Sequence, residues 1–350
     1  MTWLRWLLVA LPVSWFLAAT GRPPLAVFVV TGLAVIPLAA AMGGATEVLA
    51  QRAGPAVGGL LSATFGNAAE LILALAALRA GLLDLVKASI TGSILGNLLL
   101  ILGLSLFAGG IRRPTLTFDR TAAGMGGAML LLAVVGLTVP ALFAATHPAA
   151  TTAVTVHLSE GVAAVLGLTY VASLVFSLVT HRGAFGHADH RGVQAEALGR
   201  AGGKAVATLA VATVLIAVQS EILVHATEGL VVRFGLSEMF LGLIVIPLIG
   251  NAAENASAVV VARKGQTDLA LSITLGSSTQ VALFVAPVLV LAGVVLGQPM
   301  HLVFTPFEVV AVGLTALIVT VIALDGESHW FEGVQLLAVY AIMAIAAWFV

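Results

Sequence analysis

Two glutamates stand where an apolar chain has least reason to place them. Glu70 and Glu254 each close a copy of GNAAE, at 66–70 within SATFGNAAELILALAAL and at 250–254 within VIPLIGNAAENASAVV. A charged side chain at the bilayer centre costs roughly 2.5–3.5 kcal/mol on insertion scales, so an ionisable residue in such a run is a functional candidate. A lone glutamate could be a protonated carboxyl tied to a neighbouring helix; the same five-residue word written twice argues for chemistry.

The neighbours of each glutamate specify which chemistry. Asn67 precedes Glu70 by three residues, and Asn251 precedes Glu254 by three, so each amide shares a helical face with its carboxylate. The faces continue through Ala63, Ala74 and Ala77 in one copy, and through Pro247, Ser257 and Ala258 in the other. Small residues let helices approach and leave room for an ion. Gly66 and Gly250 allow backbone carbonyls to turn toward the same space, and Pro247 removes a helical hydrogen bond just upstream. Ser93, Ser277, Ser278 and Gln280 come from the segments that follow. The resulting donors are carboxylate, amide, hydroxyl and carbonyl oxygens, with no thiolate because the chain has no cysteine. Such a set suits Ca²⁺, which takes about six to eight oxygens, better than Zn²⁺ or Cu. Na⁺ fits the same donors.

Two facing carboxylates also couple a cation to protons. With a divalent cation between them both ionise; without it, like charges in a poorly solvated site favour protonation of at least one. Glu70 and Glu254 are therefore read both as metal ligands and as proton carriers, with Asn67, Asn251, Gly66, Gly250, Ser93, Ser277 and Gln280 completing the site.

These residues need elements that hold them in a membrane. Of the 350 residues 60% are hydrophobic and only 9% are charged, too few charges to solvate a soluble domain of this size. Apolar windows of about 20 residues recur along the chain, and lipid requires them to be helices, because an exposed backbone must satisfy its own hydrogen bonds. Spans are expected near 3–19, 25–48, 57–79, 85–109, 121–144, 157–180, 205–232, 237–262, 268–296, 303–324 and 330–349: an all-α polytopic membrane protein of about eleven helices. The first is read as an anchor in preference to a cleavable signal. With alternate loops assigned to alternate sides, eleven Lys and Arg fall on the side of the N-terminus and four on the other. This places the N-terminus in the cytoplasm and the C-terminus outside, in a membrane expected to be a plasma membrane of prokaryotic type.

The chain also repeats itself. The two GNAAE copies are 184 residues apart, and at that offset Gly92-Ser93 falls on Gly276-Ser277. Upstream, ATE recurs at 45–47 and 226–228, and Gly54 matches Gly235, both at an offset of 181. Five spans separate the two motif spans, an odd number, so the copies cross in opposite directions. The expected organisation is one extra helix at 1–20, two inverted five-helix repeats at 25–180 and 205–350, and a cytoplasmic linker at 181–204. Inverted repeats place a substrate near the midplane where helices are interrupted.

A second group of acids flanks the first. Glu221, His225 and Glu228 form one stripe, and Glu47 is the repeat-mate of Glu228. Glu47, Glu221 and Glu228 are read as entrance or gating acids; the other reading pairs Glu47 with Arg52 and Glu228 with Arg233 at the interface, and makes His225 an ordinary hydrogen-bonded helix histidine.

Taken together, ATEVLAQRAGPAVGGLLSATFGNAAELILALAAL, GSILGNLLLILGLSLFAGG, SEILVHATEGLVVRFGLSEMFLGLIVIPLIGNAAEN, GSSTQVALFVAPVLVLAGV and DGESHWFEGVQLLAVY resemble the calcium/proton exchangers of the cation/Ca²⁺ exchanger superfamily. The resemblance covers nearly all of the chain except the first span and the linker. It implies alternating access moved by the helix pair of spans 2 and 7, with Glu70 and Glu254 binding Ca²⁺ or protons and Asn67, Asn251 and Gln280 as polar site residues. The chain departs from the family in carrying Asn255 where a histidine often follows the second motif, and in having only Asp189 and Glu196 as acids in its linker.

The expected function is secondary antiport, cytoplasmic Ca²⁺ for protons; the alternative is exchange of Na⁺, K⁺ or Mn²⁺ for protons at the same site. No GxxxxGK[ST] phosphate loop is present, in keeping with drive by an ion gradient. Neither HExxH nor GxSxG occurs, and an intramembrane enzyme is not expected. Ca²⁺ and protons are the expected substrates and the lipid bilayer the surroundings; neither nucleic acid nor a resident cofactor is expected.

Overall fold

The computed structural model of the chain describes residues 3–180 and 195–349. After a short 3₁₀ turn at Trp3–Val9, the helices in chain order are α1 (Ala10–Ala19), α2 (Pro24–Phe65), α3 (Ala68–Arg79), α4 (Leu83–Leu95), α5 (Leu102–Gly110), α6 (Arg120–Thr146), α7 (Thr152–Val175), α8 (Ala195–Phe234), α9 (Glu238–Phe240), α10 (Ile246–Gly250), α11 (Ala252–Arg263), α12 (Thr267–Gln280), α13 (Ala286–Val295), α14 (Pro306–Ala323) and α15 (Trp330–Trp348). Wider π-turns at Gly96–Ile101, Phe176–Thr180, Leu241–Val245 and Val281–Val285 join or extend several of them. Among the described residues, eight helices are long and apolar enough to cross a membrane, or nine if the bent pair Glu238–Gly250 and Ala252–Arg263 is one span. The segment expected as the first span holds a shorter apolar helix, Trp6–Ala19. The expected linker falls mostly on 181–194, outside the described residues, and α8 begins within its remainder.

The spans expected at 57–79 and 237–262 are each interrupted at their motif. The first breaks at Gly66–Asn67 between α2 and α3; the second breaks at Asn251, where α10 and α11 meet at 64°. Hydropathy cannot register such breaks, but the residue types explain them. Glycine pays the largest entropic penalty in a helix, asparagine bonds locally to backbone, and Pro247 brings no N–H to the segment before the second break.

Several element boundaries keep the offset of the two motif copies. Shifted by 184, α3 falls on α11 from first residue to last, α4 begins where α12 begins, and Asn97–Ile101 falls on the π-turn Val281–Val285. Gly81 and Gly265, also 184 apart, both take left-handed φ, at 80° and 84°. Gly54 and Gly235, 181 apart, do likewise at 79° and 65°, a region that only glycine enters at little cost.

Contacts divide the chain into two units. One contains the chain up to Ala77, the stretch from Tyr170 to Gly235, and Ile249–Ala253. Its frame is the long helices α2 and α8, packed along each other around Leu38, Met42, Ala212 and Ile216, with Ala68 and Ala69 of α3 in the same cluster. Glycines permit the close approaches: a Cβ on Gly32 would lie 2.7 Å from Ile249 Cδ1. Helix α1 is tied in by Ser14 Oγ, which donates to Gln219 Oε1 at 3.0 Å, both side chains fully buried.

The other unit contains Leu78–Thr169, Leu236–Leu248 and Glu254–Val350. Its core includes Leu85, Leu98, Leu99, Leu283 and Leu289, all shielded. A capping box opens α14: the Thr305 backbone N–H and hydroxyl donate to Glu308 Oε2, and the Glu308 N–H donates back to Thr305 Oγ1. The other oxygen of Glu308 accepts from Thr91 Oγ1 of α4 at 3.1 Å, so this carboxylate is buried with its acceptors engaged. At the opposite ends of these helices, Leu116–Thr117 pairs antiparallel with Glu327–Ser328, and the Arg113 guanidinium donates to the Arg263 carbonyl. The three loops joined there are ones that the alternation of the expected spans puts on the side of the N-terminus.

Candidate cation site

Each motif glutamate starts a helix. Glu70 lies in the first turn of α3 and Glu254 in the first turn of α11, immediately after the breaks. The first turn carries backbone N–H groups without intrahelical acceptors and the positive end of the helix dipole, so an anion is stabilised there. The residues expected to share a face within a continuous helix thus lie across an interruption. Asn67 is at the break and 2% exposed; Asn251 is at the other and 4% exposed.

In the first unit, Glu70, Asn67, Gly66, Gly250 and Asn251 come together by chain position and contact. Gly250, from the second copy, faces Glu70, from the first: a Cβ on Gly250 would come 3.4 Å from Glu70 Cγ and 3.6 Å from Leu73 Cδ1. Here the two GNAAE motifs meet. The other unit holds Glu254, Ser93, Ser277 and Gln280. Ser277 Oγ donates to Glu254 Oε2 at 3.2 Å, linking α12 to α11. Ser93 and Ser277 are buried, while Glu254 and Gln280 are half-buried.

Ser93 is placed by the glycine before it. A Cβ on Gly92 would overlap the carbonyl group of Leu243, and one on Gly242 would come 2.6 Å from Ala88 Cβ, so α4 and the π-turn Leu241–Val245 touch backbone to backbone. The Leu243 carbonyl is the one that Pro247 leaves without its i+4 donor. The glycine of the first GS pair is therefore a packing requirement, which the sequence presented only as half of a repeated dipeptide. At the repeat-mate Gly276 a Cβ would meet nothing within 4 Å.

The flanking acids belong to the first unit. Glu47 on α2 is exposed and its Oε1 accepts from Gln51 Nε2 at 3.4 Å. Glu228 on α8 lies 3.7 Å from His225 Nδ1. Glu221 is half-buried on the same helix, one turn ahead of His225. Two features went unread in the sequence. One is the buried Ser14–Gln219 link. The other is the set of π-turns, of which two end two residues before a proline (Pro247 and Pro287), the only signal that pointed to them.

Comparison with known proteins addresses the whole chain. The family model described as sodium/calcium exchanger protein matches residues 23–179 and 204–349. The chain is 45% identical to a Ca²⁺/H⁺ antiporter of Synechocystis sp., over 98% of this chain and 96% of that one. It is 44% identical to the Ca²⁺/H⁺ antiporter ChaA of Bacillus subtilis, over 92% of each. The solved structure of native YfkE superposes with a TM-score of 0.86 at 39% identity, covering 99% of this chain and 100% of that one. Motif, fold and relatives agree over almost the full length, and the chain belongs to the sodium/calcium exchanger protein family.

Proposed function

We propose that this protein is a secondary antiporter that moves cytoplasmic Ca²⁺ outward in exchange for protons, by alternating access and without a resident cofactor or any enzymatic step. The observation that carries the reading is the placement of both motif glutamates in the first turn of a helix that follows a break. Interrupted helices whose N-termini and freed carbonyls face a shared space are how secondary transporters build ion sites near the midplane. The names of the relatives, Ca²⁺/H⁺ antiporters at more than 40% identity over nearly the whole chain, support the same substrates.

In this reading the two halves, spans 2–6 and 7–11 of an eleven-span chain, are inverted repeats, and Glu70 and Glu254 serve one cation. Ca²⁺ is held by the two carboxylates with the amide oxygens of Asn67, Asn251 and Gln280, the hydroxyls of Ser93 and Ser277, and carbonyls at Gly66 and Gly250. When Ca²⁺ leaves, protons neutralise the carboxylates, so the site never stands empty and doubly charged. Glu47, Glu221 and Glu228 attract the ion at the entrances. The N-terminus is cytoplasmic and the C-terminus outside, in a plasma membrane of prokaryotic type; the meeting of the loops at 113, 116–117, 263 and 327–328 on one side accords with that threading.

The test is uptake of radiolabelled Ca²⁺ into inside-out vesicles driven by a pH gradient. Glu70→Gln and Glu254→Gln each abolish it; normal uptake in either variant removes the site assignment. Competition by Na⁺, K⁺, Mg²⁺ and Mn²⁺ in the same assay decides between Ca²⁺ and another cation, and Ca²⁺ flux without counter-movement of protons would mark a channel.

A further inference from the structure

Glu308 is a carboxylate buried at the head of the apolar span Pro306–Ala323, outside the cation site. It closes the capping box of α14 through Oε2 alone. Such a box is served as well by glutamine as by glutamate, so capping does not require a charge here. Burying a carboxylate is costly unless its acceptors are engaged, and the second oxygen therefore requires an explanation. It accepts from Thr91 Oγ1 on α4, 3.1 Å away and itself fully buried. The same hydroxyl lies 3.2 Å from the Lys87 carbonyl of its own helix, the usual acceptor for a threonine within a helix. The carboxylate is the stronger acceptor of the two.

This bond is one of two that tie α4 to the segment entering α14. Lys87, one turn before Thr91 on the same face, donates from Nζ to the Val303 carbonyl at 3.4 Å. Successive residues of a helix point about 100° apart, so Thr91, Gly92 and Ser93 look in three directions. Thr91 is bonded to α14. Gly92 meets the Leu243 carbonyl group, with which a Cβ would overlap. Ser93 is the buried hydroxyl of the cation site. Together the bond and the backbone contact hold α4 against sliding and rotation just before Ser93. The other half is built differently. At the 184-residue offset Thr91 falls on Leu275, and Gly92 on Gly276, beside which a Cβ would meet nothing within 4 Å. There Ser277 is fixed by its own bond to Glu254.

We propose that Glu308 and Thr91 are positioning residues for the cation site: through their bond the carboxylate on α14 fixes the depth and rotation of α4, and with them the place of Ser93. The inference rests on the antiport reading above. Both residues act through Ser93 and are not themselves ligands. A cation held by several oxygens at set distances binds less tightly when one of them is displaced, so a bond two residues from Ser93 is felt as affinity for Ca²⁺. Capping of α14 and positioning of α4 are separable, because they use different oxygens of one carboxylate.

The experiment is pH-gradient-driven Ca²⁺ uptake by the purified full chain in proteoliposomes, with thermal melting measured in parallel. Thr91→Val, close in shape, removes the bond to α4 and leaves the capping box. Thr305→Val removes the hydroxyl of the box and leaves the bond to α4. Both are expected to lower the melting temperature. Only Thr91→Val is expected to raise KM for Ca²⁺, by about fivefold or more, with Vmax little changed. Thr91→Ser, which keeps the hydroxyl, should recover the natural KM. In a Glu308→Leu background Thr91→Val should raise KM no further, since the two residues act through one bond. A natural KM in Thr91→Val, an equal rise in Thr305→Val, or a serine variant that behaves as the valine one overturns the proposal, and these decide it even if Glu308→Leu does not fold. If the natural protein shows no proton-coupled Ca²⁺ uptake, the antiport reading itself fails; if it transports and Thr91→Val keeps its KM, only this inference falls.

Discussion

Gly250 lies against Glu70: a Cβ on the glycine would stand 3.4 Å from the glutamate Cγ. Residues 180 positions apart in sequence, from separate copies of one motif, are thus neighbours. The distance is an ordinary van der Waals contact, so a methyl group fits without displacing the backbone, yet it occupies the space beside the carboxylate stem.

Gly250→Ala is therefore expected to separate stability from transport. Alanine favours helix over glycine by about 1 kcal/mol, so the melting temperature should hold or rise slightly. Transport should fall about fivefold or more, because ion preference depends on the size of the space around the ligands. Thermal melting and Ca²⁺ uptake on the same preparation check this; full transport in the variant would mean that the space beside Glu70 is not used by the ion.

Gly92 and Gly276 are repeat-mates with opposite surroundings. A methyl at Gly92 meets the Leu243 backbone, and one at Gly276 meets nothing within 4 Å. Gly92→Ala should destabilise by about 1–3 kcal/mol, as overpacking does, whereas Gly276→Ala should stay within about 0.5 kcal/mol. Melting temperatures of the two variants decide the matter, and equal shifts would contradict the close approach of α4 to Leu241–Val245.

The 184-residue offset of the two motifs was legible in the sequence because no insertion separates them from the segments that follow, and the boundaries of α3 and α11 and the starts of α4 and α12 keep it. The polar residues were legible because apolar surroundings make them conspicuous. The motif glycines and Pro247 pointed to interrupted helices, but hydropathy did not mark the breaks at Gly66–Asn67 and Asn251, because a window that averages over a span is indifferent to whether the span is continuous. For the same reason the 3.6-residue period gives no sign of a π-turn, and only Pro247 and Pro287 hinted at two of them. Nor could spacing foretell that Gly92 would carry a backbone contact while Gly276 would not, since that asymmetry depends on which helices close around each half.

Ser277 orients Glu254 through the 3.2 Å bond from Oγ to Oε2. Removing the hydroxyl costs the carboxylate a hydrogen bond of about 1.5–3 kcal/mol, the range for bonds to charged groups. Ser277→Ala is expected to raise KM for Ca²⁺ about tenfold or more, while Ser277→Thr, which keeps the hydroxyl, recovers much of the loss. If alanine and threonine behave alike, the bond does not position Glu254 for the ion.

His301, in the loop between α13 and α14, gives a pH dependence of folding that is separable from transport. Burial lowers its pKa from the ordinary 6.5, the charge of Lys87 lowers it further, and Asp84 opposes both. Its Nδ1 accepts from the Val303 N–H at 3.3 Å, and the Lys87 ammonium, 2.8 Å from Asp84, donates to the Val303 carbonyl at 3.4 Å. The neutral imidazole is the form that the fold holds. In the unfolded chain the ring takes up a proton as pH falls through 6.5, and the folded chain resists doing so until lower pH. The contribution of His301 is thus fully present above that value and is lost progressively below it. His301→Gln removes the titration, so between about pH 7.5 and about pH 5.5 its melting temperature should fall less than that of the natural protein. Parallel curves for the two proteins would show that His301 takes up its proton equally in both states.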